Sequence, residues 1–215
     1  KYRCYTFYMI IEIDAFKKQL AGYDPKHSEK FHEESAKLAD KVFHTELKSG
    51  KYTEVVFLAG GAASGKTEFA SIFLQQEKIL VYDGTMQNVA GFEIKLKKII
   101  KHIPISKVRV ILIIPEDMRV AYKVFLGRER KMSDDTFVRT QVKSKLSVLN
   151  ILKNHPEVDV QIFMNFINES SQASSIFKKV DSKYIVPFLN KTLEDLEKTL
   201  PNIIKNVIID NKENI

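Results

Sequence analysis

The 215-residue chain has no tryptophan, one cysteine, six prolines and eight glycines. Cys4 alone cannot form a disulfide within the chain, so a reducing compartment is expected and a cytoplasmic location follows from it. No apolar stretch approaches the roughly 20 residues that a membrane-spanning helix needs. The opening "KYRCYTFYMIIEI" puts basic residues ahead of an apolar stretch, as a signal peptide does. Tyrosines and charges interrupt it, however, and no small-residue cleavage site follows. The chain opens on Lys rather than Met, as expected of a truncated or processed chain. Repeats and low-complexity tracts are missing. The five histidines (27, 32, 44, 102 and 155) show no metal-site spacing, and Ser, His and Asp form no nucleophile elbow.

What is present is an ordinary globular composition with a basic excess, 34 Lys plus Arg against 27 Asp plus Glu, net +7. Such an excess suits an anionic ligand, or simply a solvated basic surface. Hydrophobic periodicity gives alternating helices and strands. A helix is expected over 24–48, with Asp24 as N-cap, Pro25 at its first position and Leu38, Val42, Phe43 and Leu47 on its apolar face. Strands are expected over 54–59, 79–83, 107–115 and 158–166. Helices are expected after residue 66, over 86–102 with Ile94, Ile99 and Ile100 as core positions, over 117–126 ended by Gly127, and over 135–154. The 135–154 helix carries a stripe of Val138, Val142, Leu146, Leu149 and Leu152. A last helix carries Leu189, Leu193, Leu196 and Leu200, and Pro201 follows. Strands apolar on both faces and alternating with helices predict an α/β three-layer fold with a mostly parallel sheet and helices on both faces. The expected organisation is an N-terminal helical segment over 1–50 packed on a core of residues 51–215.

Between the first of these strands and its helix lies Gly60-Gly61-Ala62-Ala63-Ser64-Gly65-Lys66-Thr67, which fits G-x-x-x-x-G-K-[ST]. Small residues let the backbone curl until successive N–H groups face one cavity, and the following helix adds its free N–H groups and dipole. Lys66 supplies a charge for the outer phosphates, and the Thr67 hydroxyl can ligate Mg²⁺. The loop therefore predicts binding of ATP with Mg²⁺. No base-reading N-K-x-D is in place, because Asn211-Lys212-Glu213 lacks the Asp, so a GTPase is not expected. Asp83 ends "ILVYD" at the same sheet edge, where it could serve as general base, as Mg²⁺ ligand or as a helix cap. Glu116 and Asp117, after "VILIIP", compete for the metal-side role. From Arg119 to Lys145 there are eight basic and three acidic residues. Arg128 and Arg130 could share a lid if Gly127 ends the helix before them, and Arg139 and Lys143 could project the same way.

In this order "AGGAASGKTEF", "YDGTMQN" and "FLGRERKMSDDTF" resemble the zeta-toxin family of P-loop kinases, itself related to polynucleotide-kinase-like phosphotransferases. The likeness covers roughly residues 52–166. It implies an ATP-dependent kinase of a small-molecule hydroxyl, UDP-N-acetylglucosamine in the best-known members, which an antitoxin holds inactive. By position, Gly60 to Thr67 would bind ATP, and Arg128 and Arg130 would contact the transferred phosphate. The chain departs from larger members in one respect. They place a substrate-binding strand, carrying the Asp base, between the P-loop helix and the "DGT" strand. Here only seventeen positions separate Lys66 from Asp83. Either Asp83 combines both acidic roles, or the base lies elsewhere, or a compact branch uses a different acceptor. A polynucleotide kinase, with Tyr122, Phe125 and Phe137 as stacking partners, and a non-catalytic ATP-binding module are the competing readings.

Overall fold

The computed structural model describes residues 8–75, 78–167 and 175–213, with side chains to Lys205 in the last helix. Cys4 lies outside these residues, as do the side chains of Asn211 to Glu213. The elements in chain order are β1 (Met9–Glu12), α1 (Ile13–Lys17), a 3-10 segment (Pro25–Phe31), α2 (His32–Lys48), β2 (Glu54–Ala59) and α3 (Lys66–Phe73). There follow β3 (Ile79–Asp83), α4 (Val89–Ile99), β4 (Val108–Pro115), α5 (Met118–Leu126), α6 (Asp134–Asn154), β5 (Asp159–Ile167), β6 (Ser175–Lys179) and α7 (Ile185–Glu213). The strands form one sheet in the order β1-β3-β2-β4-β5-β6. Its first five strands are parallel, and β6 runs antiparallel to β5.

Side chains alternate across a strand, and both faces of this sheet are apolar. Val55, Phe57, Ala59, Leu80, Tyr82, Val110 and Leu112 meet buried residues of α2, α4, α5, α6 and α7. Val56, Leu58, Val81, Ile111 and Ile113 meet Phe69, Ala70 and Leu74 in and just beyond α3. Helices therefore cover both faces, but unequally. Phe69 anchors the thinner side, edge-on to Phe177 at 5.1 Å and 4.7 Å from Phe163.

Several sequence expectations need correction. The 24–48 helix is two pieces. Asp24 accepts from the Lys26 N–H at 2.9 Å and pairs with His27 at 2.8 Å. This local turn competes with the helix, His27 leaves helical geometry, and the α-helix begins only at His32. The helix expected over 86–102 starts at Val89, where Asn88 caps it. Its buried face is Phe92, Leu96 and Ile99, while Ile94 and Ile100 are exposed. On α6, Leu146 is exposed, and Val138, Val142, Leu149 and Leu152 are only partly buried. The fully buried face carries Phe137, Thr140, Gln141, Ser144, Lys145, Val148 and Ile151. An apolar stripe mispredicts this helix because its inward face is partly polar. Pro201 does not end the last helix, which runs through it to Glu213. Neither edge strand, β1 or β6, was expected.

Candidate active site

The carboxyl ends of β1, β3 and β2 open on one cavity of about 1010 Å³. β2 delivers the P-loop. Gly60 turns the chain at φ 142°, Ala63 takes a left-handed φ of 59°, and Gly65 follows at φ 91°. Alternation of left- and right-handed residues bends a backbone into an anion-binding concavity, and α3 starts there with its first N–H groups lacking partners inside the helix. Ala62, Ala63, Ser64, Gly65, Lys66 and Thr67 all line the cavity. The Lys66 ammonium folds back on the loop and donates to the Gly60 and Gly61 carbonyls, each at 3.0 Å. Burial pulls its pKa down, against the pull of the Asp83 carboxylate. Thr67 is exposed to the cavity.

The loop is braced from behind. Thr140 Oγ1 accepts the Ala62 N–H at 3.0 Å, and Gln141 Nε2 donates to the Ala62 carbonyl at 2.9 Å. Asn165, at the end of β5, donates through Nδ2 to the Ser64 carbonyl at 3.0 Å. A Cβ on Gly61 would lie 2.2 Å from the Gln141 side chain, and one on Gly65 would lie 2.1 Å from Asn165 Nδ2. Packing from beneath thus requires these glycines as much as a ligand above them would. Sequence reading missed all three bracing residues. Only the run of polar residues on one side of α6 hinted at two of them.

Asp83 ends β3 and lines the cavity, while Asn88 caps the next helix. It is 9 % exposed, and burial pushes its carboxyl up to about 6, with Lys66 pulling the other way. Glu116 and Asp117 lie outside the cavity. Asp117 caps α5, accepting from the Arg119 N–H at 2.8 Å, and pairs with the Arg119 side chain. The two competing strand ends are thereby distinguished by position.

Gly127 ends α5, and Arg128 and Arg130 both line the cavity from the connection to α6, as does Arg139. Lys143 is exposed to solvent away from it. Burial lowers the pKa of Arg128, and Arg130 beside it adds to that. Tyr122, Phe125 and Phe137 are core residues at 0 %, 4 % and 0 % exposure, packed on one another with centroids 5.0–5.9 Å apart. They are unavailable for stacking on bases.

The opposite wall comes from the N-terminal segment, to which the sequence assigned no site residue. β1 pairs with β3 in parallel, with Glu12 beside Asp83. Glu12 and Asp14 line the cavity across from the P-loop. Lys17 holds the Asp14 carboxylate at 3.0 Å and Arg130 pairs with its other oxygen. Burial would raise the Asp14 pKa, but Arg130 and Lys17 outweigh it and hold the carboxyl below its usual value. A signal for this strand was present, since Ile10-Ile11-Glu12-Ile13-Asp14 repeats the pattern of an apolar run ending in a carboxylate.

An ammonium, a helix N-terminus, a hydroxyl and a buried carboxylate on one wall form a donor set that fits a nucleoside triphosphate with Mg²⁺. Among the described residues no three His, Cys, Asp or Glu side chains form a metal cage. A P-loop does not need one, because phosphate oxygens and water supply most of the Mg²⁺ shell. No helix among the described residues is long and apolar enough to cross a membrane. Compared with protein-family models and with curated proteins, the chain gives no match.

Proposed function

We propose that the chain is a phosphotransferase that moves the γ-phosphate of ATP to a hydroxyl of a small anionic acceptor. The observation that carries this reading is the sharing of one cavity by the P-loop, two strand-end carboxylates and the arginines of the α5–α6 connection. Lys66 and the N-terminus of α3 hold the phosphates of ATP, and Thr67 and Asp83 would hold Mg²⁺, whose charge would offset that of the phosphates. Asp14 takes the proton of the acceptor hydroxyl once Arg130 turns from it to the transferred phosphate, which frees one carboxylate oxygen and relieves the pairing that depresses its basicity. The oxygen so freed bonds to the γ-phosphorus, the bond to the bridging oxygen breaks, and ADP leaves. Arg128 and Arg130 face the charge that spreads over the moving group. Asp83 then need not combine both acidic roles.

The likeness to the zeta-toxin family supports this division. Its larger members carry a separate base on a strand of its own, between the P-loop helix and the "DGT" strand in the chain, whereas here β1, which pairs with β3, precedes the P-loop. The same likeness makes UDP-N-acetylglucosamine the first acceptor to try and an antitoxin a partner to look for. The test is ATP turnover with UDP-N-acetylglucosamine, other nucleotide sugars, nucleosides and 5′-hydroxyl oligonucleotides. A phosphorylated product lost in Asp83→Asn supports a kinase and names its acceptor. ATP binding that Asp83→Asn leaves unchanged, with no product from any acceptor, would leave an ATP-binding module instead.

A further inference from the structure

Glu29 lies in the 3-10 segment ahead of α2, at the rim of the cavity and more than a hundred positions before the residues it holds. Its Oε1 accepts the Ser133 N–H at 2.8 Å and the Thr136 hydroxyl at 2.6 Å, with Ser133 Oγ at 3.0 Å. Ser133 is the N-cap of α6, and its own hydroxyl accepts from Thr136 N–H at 3.2 Å. Glu29 therefore adds a hydrogen-bond acceptor from a distant segment to an already capped helix start, whose first N–H groups have no partners within the helix. Two further ties hold the same connection, one to the 3-10 segment and one to α1. The Lys131 N–H donates to the Pro25 carbonyl at 3.0 Å, and Arg130 pairs with Asp14.

The chain of contacts continues into the nucleotide side. Arg139, one turn along α6, donates to Thr136 Oγ1 at 3.1 Å. The next residues inward, Thr140 and Gln141, grip Ala62 of the P-loop. The start of α6 thus sits between the acceptor wall and the P-loop, with Arg128 and Arg130 immediately before it.

Resting on the kinase reading, we propose that Glu29 is a positioning residue. It fixes the 128–136 connection so that Arg128 and Arg130 meet the transferred phosphate while α6 holds the P-loop. Glu29 touches neither phosphate nor acceptor and acts through Ser133 and Thr136. Displacing a charge-stabilising group by about an ångström can cost roughly a hundredfold in rate, so the effect falls on turnover rather than on ATP affinity.

The test compares Glu29→Ala and Glu29→Gln with the full chain. Gln keeps an oxygen that accepts the same bonds, and Ala does not. Two readouts are taken. One is turnover and ATP affinity with the best acceptor. The other is amide hydrogen exchange of residues 128–136 in the ATP-free protein. In Glu29→Ala, turnover is expected to fall about tenfold or more, with ATP affinity within about threefold and the Ser133 amide exchanging at least about tenfold faster. Glu29→Gln is expected to behave as wild type in both readouts. Unchanged exchange in Glu29→Ala would overturn the proposal, and so would full turnover. Equal loss of turnover in both variants would also overturn it, because charge rather than position would then matter. If the wild type phosphorylates nothing, the kinase reading fails. The exchange comparison alone then decides whether Glu29 holds the segment.

Discussion

At the residue scale two of the site's carboxylates, Asp83 and Asp14, lie in opposed environments. Burial raises the Asp83 pKa from 3.8 to about 6, whereas Arg130 and Lys17 depress that of Asp14. A folded-state pKa above the unfolded one means that Asp83 stabilises the fold only while protonated. That contribution is present below pH 3.8 and is lost as pH rises through about 6. Asp83→Asn should therefore raise stability at pH 7 by about 3 kcal/mol while removing phosphate transfer, which chemical denaturation and product assays would check together. Retained transfer would refute its assignment to the nucleotide side. For the same reason, kcat/KM for ATP should fall as pH drops below about 6, the pKa of Asp83 in the free protein.

Lys145 shows the opposite sign. It is 1 % exposed and donates to the Gln141 carbonyl at 2.8 Å, and burial depresses its pKa to about 7. The folded state therefore favours the neutral amine. Stability is full above the unfolded value of 10.5 and falls as pH drops to about 7. Lys145→Met should stabilise the protein at pH 7 by about 1–4 kcal/mol and flatten that pH dependence. Urea titrations at pH 7 and pH 9.5 decide it.

Among the elements, the P-loop is the part most nearly written in the sequence, because its spacing, its glycines and its flanking strand and helix are all local. Its support is not local. Asn165 and Gln141 come from about 100 and 79 positions away, and no pattern in residues 55–69 announces them. Gly65→Ala places a methyl at φ 91° and 2.1 Å from Asn165 Nδ2. It should destabilise the protein by about 2–3 kcal/mol, and Asn165→Ala in the same chain should recover part of that loss. An unaffected melting temperature would show that the loop yields more easily than its packing implies. Phe69, on α3 and buried against β5, should cost about 3–5 kcal/mol when truncated to Ala, since α3 covers the middle of that face.

Taken as a whole molecule, the alternation of β2, β3, β4 and β5 with helices was legible because parallel central strands read as continuous apolar runs. β1 was passed over, because four residues at a sheet edge that run straight into a short helix carry little periodicity, and only the carboxylates after the apolar run mark them. Its absence from the reading hid half the cavity, including Glu12 and Asp14. The helix over 135–154 was found with its inward face misassigned, since that face divides between the core, through Phe137, Val148 and Ile151, and the P-loop, through Thr140 and Gln141. The stacking partners proposed for nucleic acid turn out to be core aromatics, which weakens the case for base stacking but leaves the basic surface in place.

The central claim is that β1 and β2 deliver the two halves of one phosphotransfer site. The most direct measurement is phosphate transfer to the best acceptor by Asp14→Asn, with ATP affinity measured on the same preparation. The expected result is a loss of transfer of about 10²–10⁴-fold with ATP affinity within about threefold of wild type. Transfer at the wild-type rate would contradict the claim and return the base to Asp83 or to another residue.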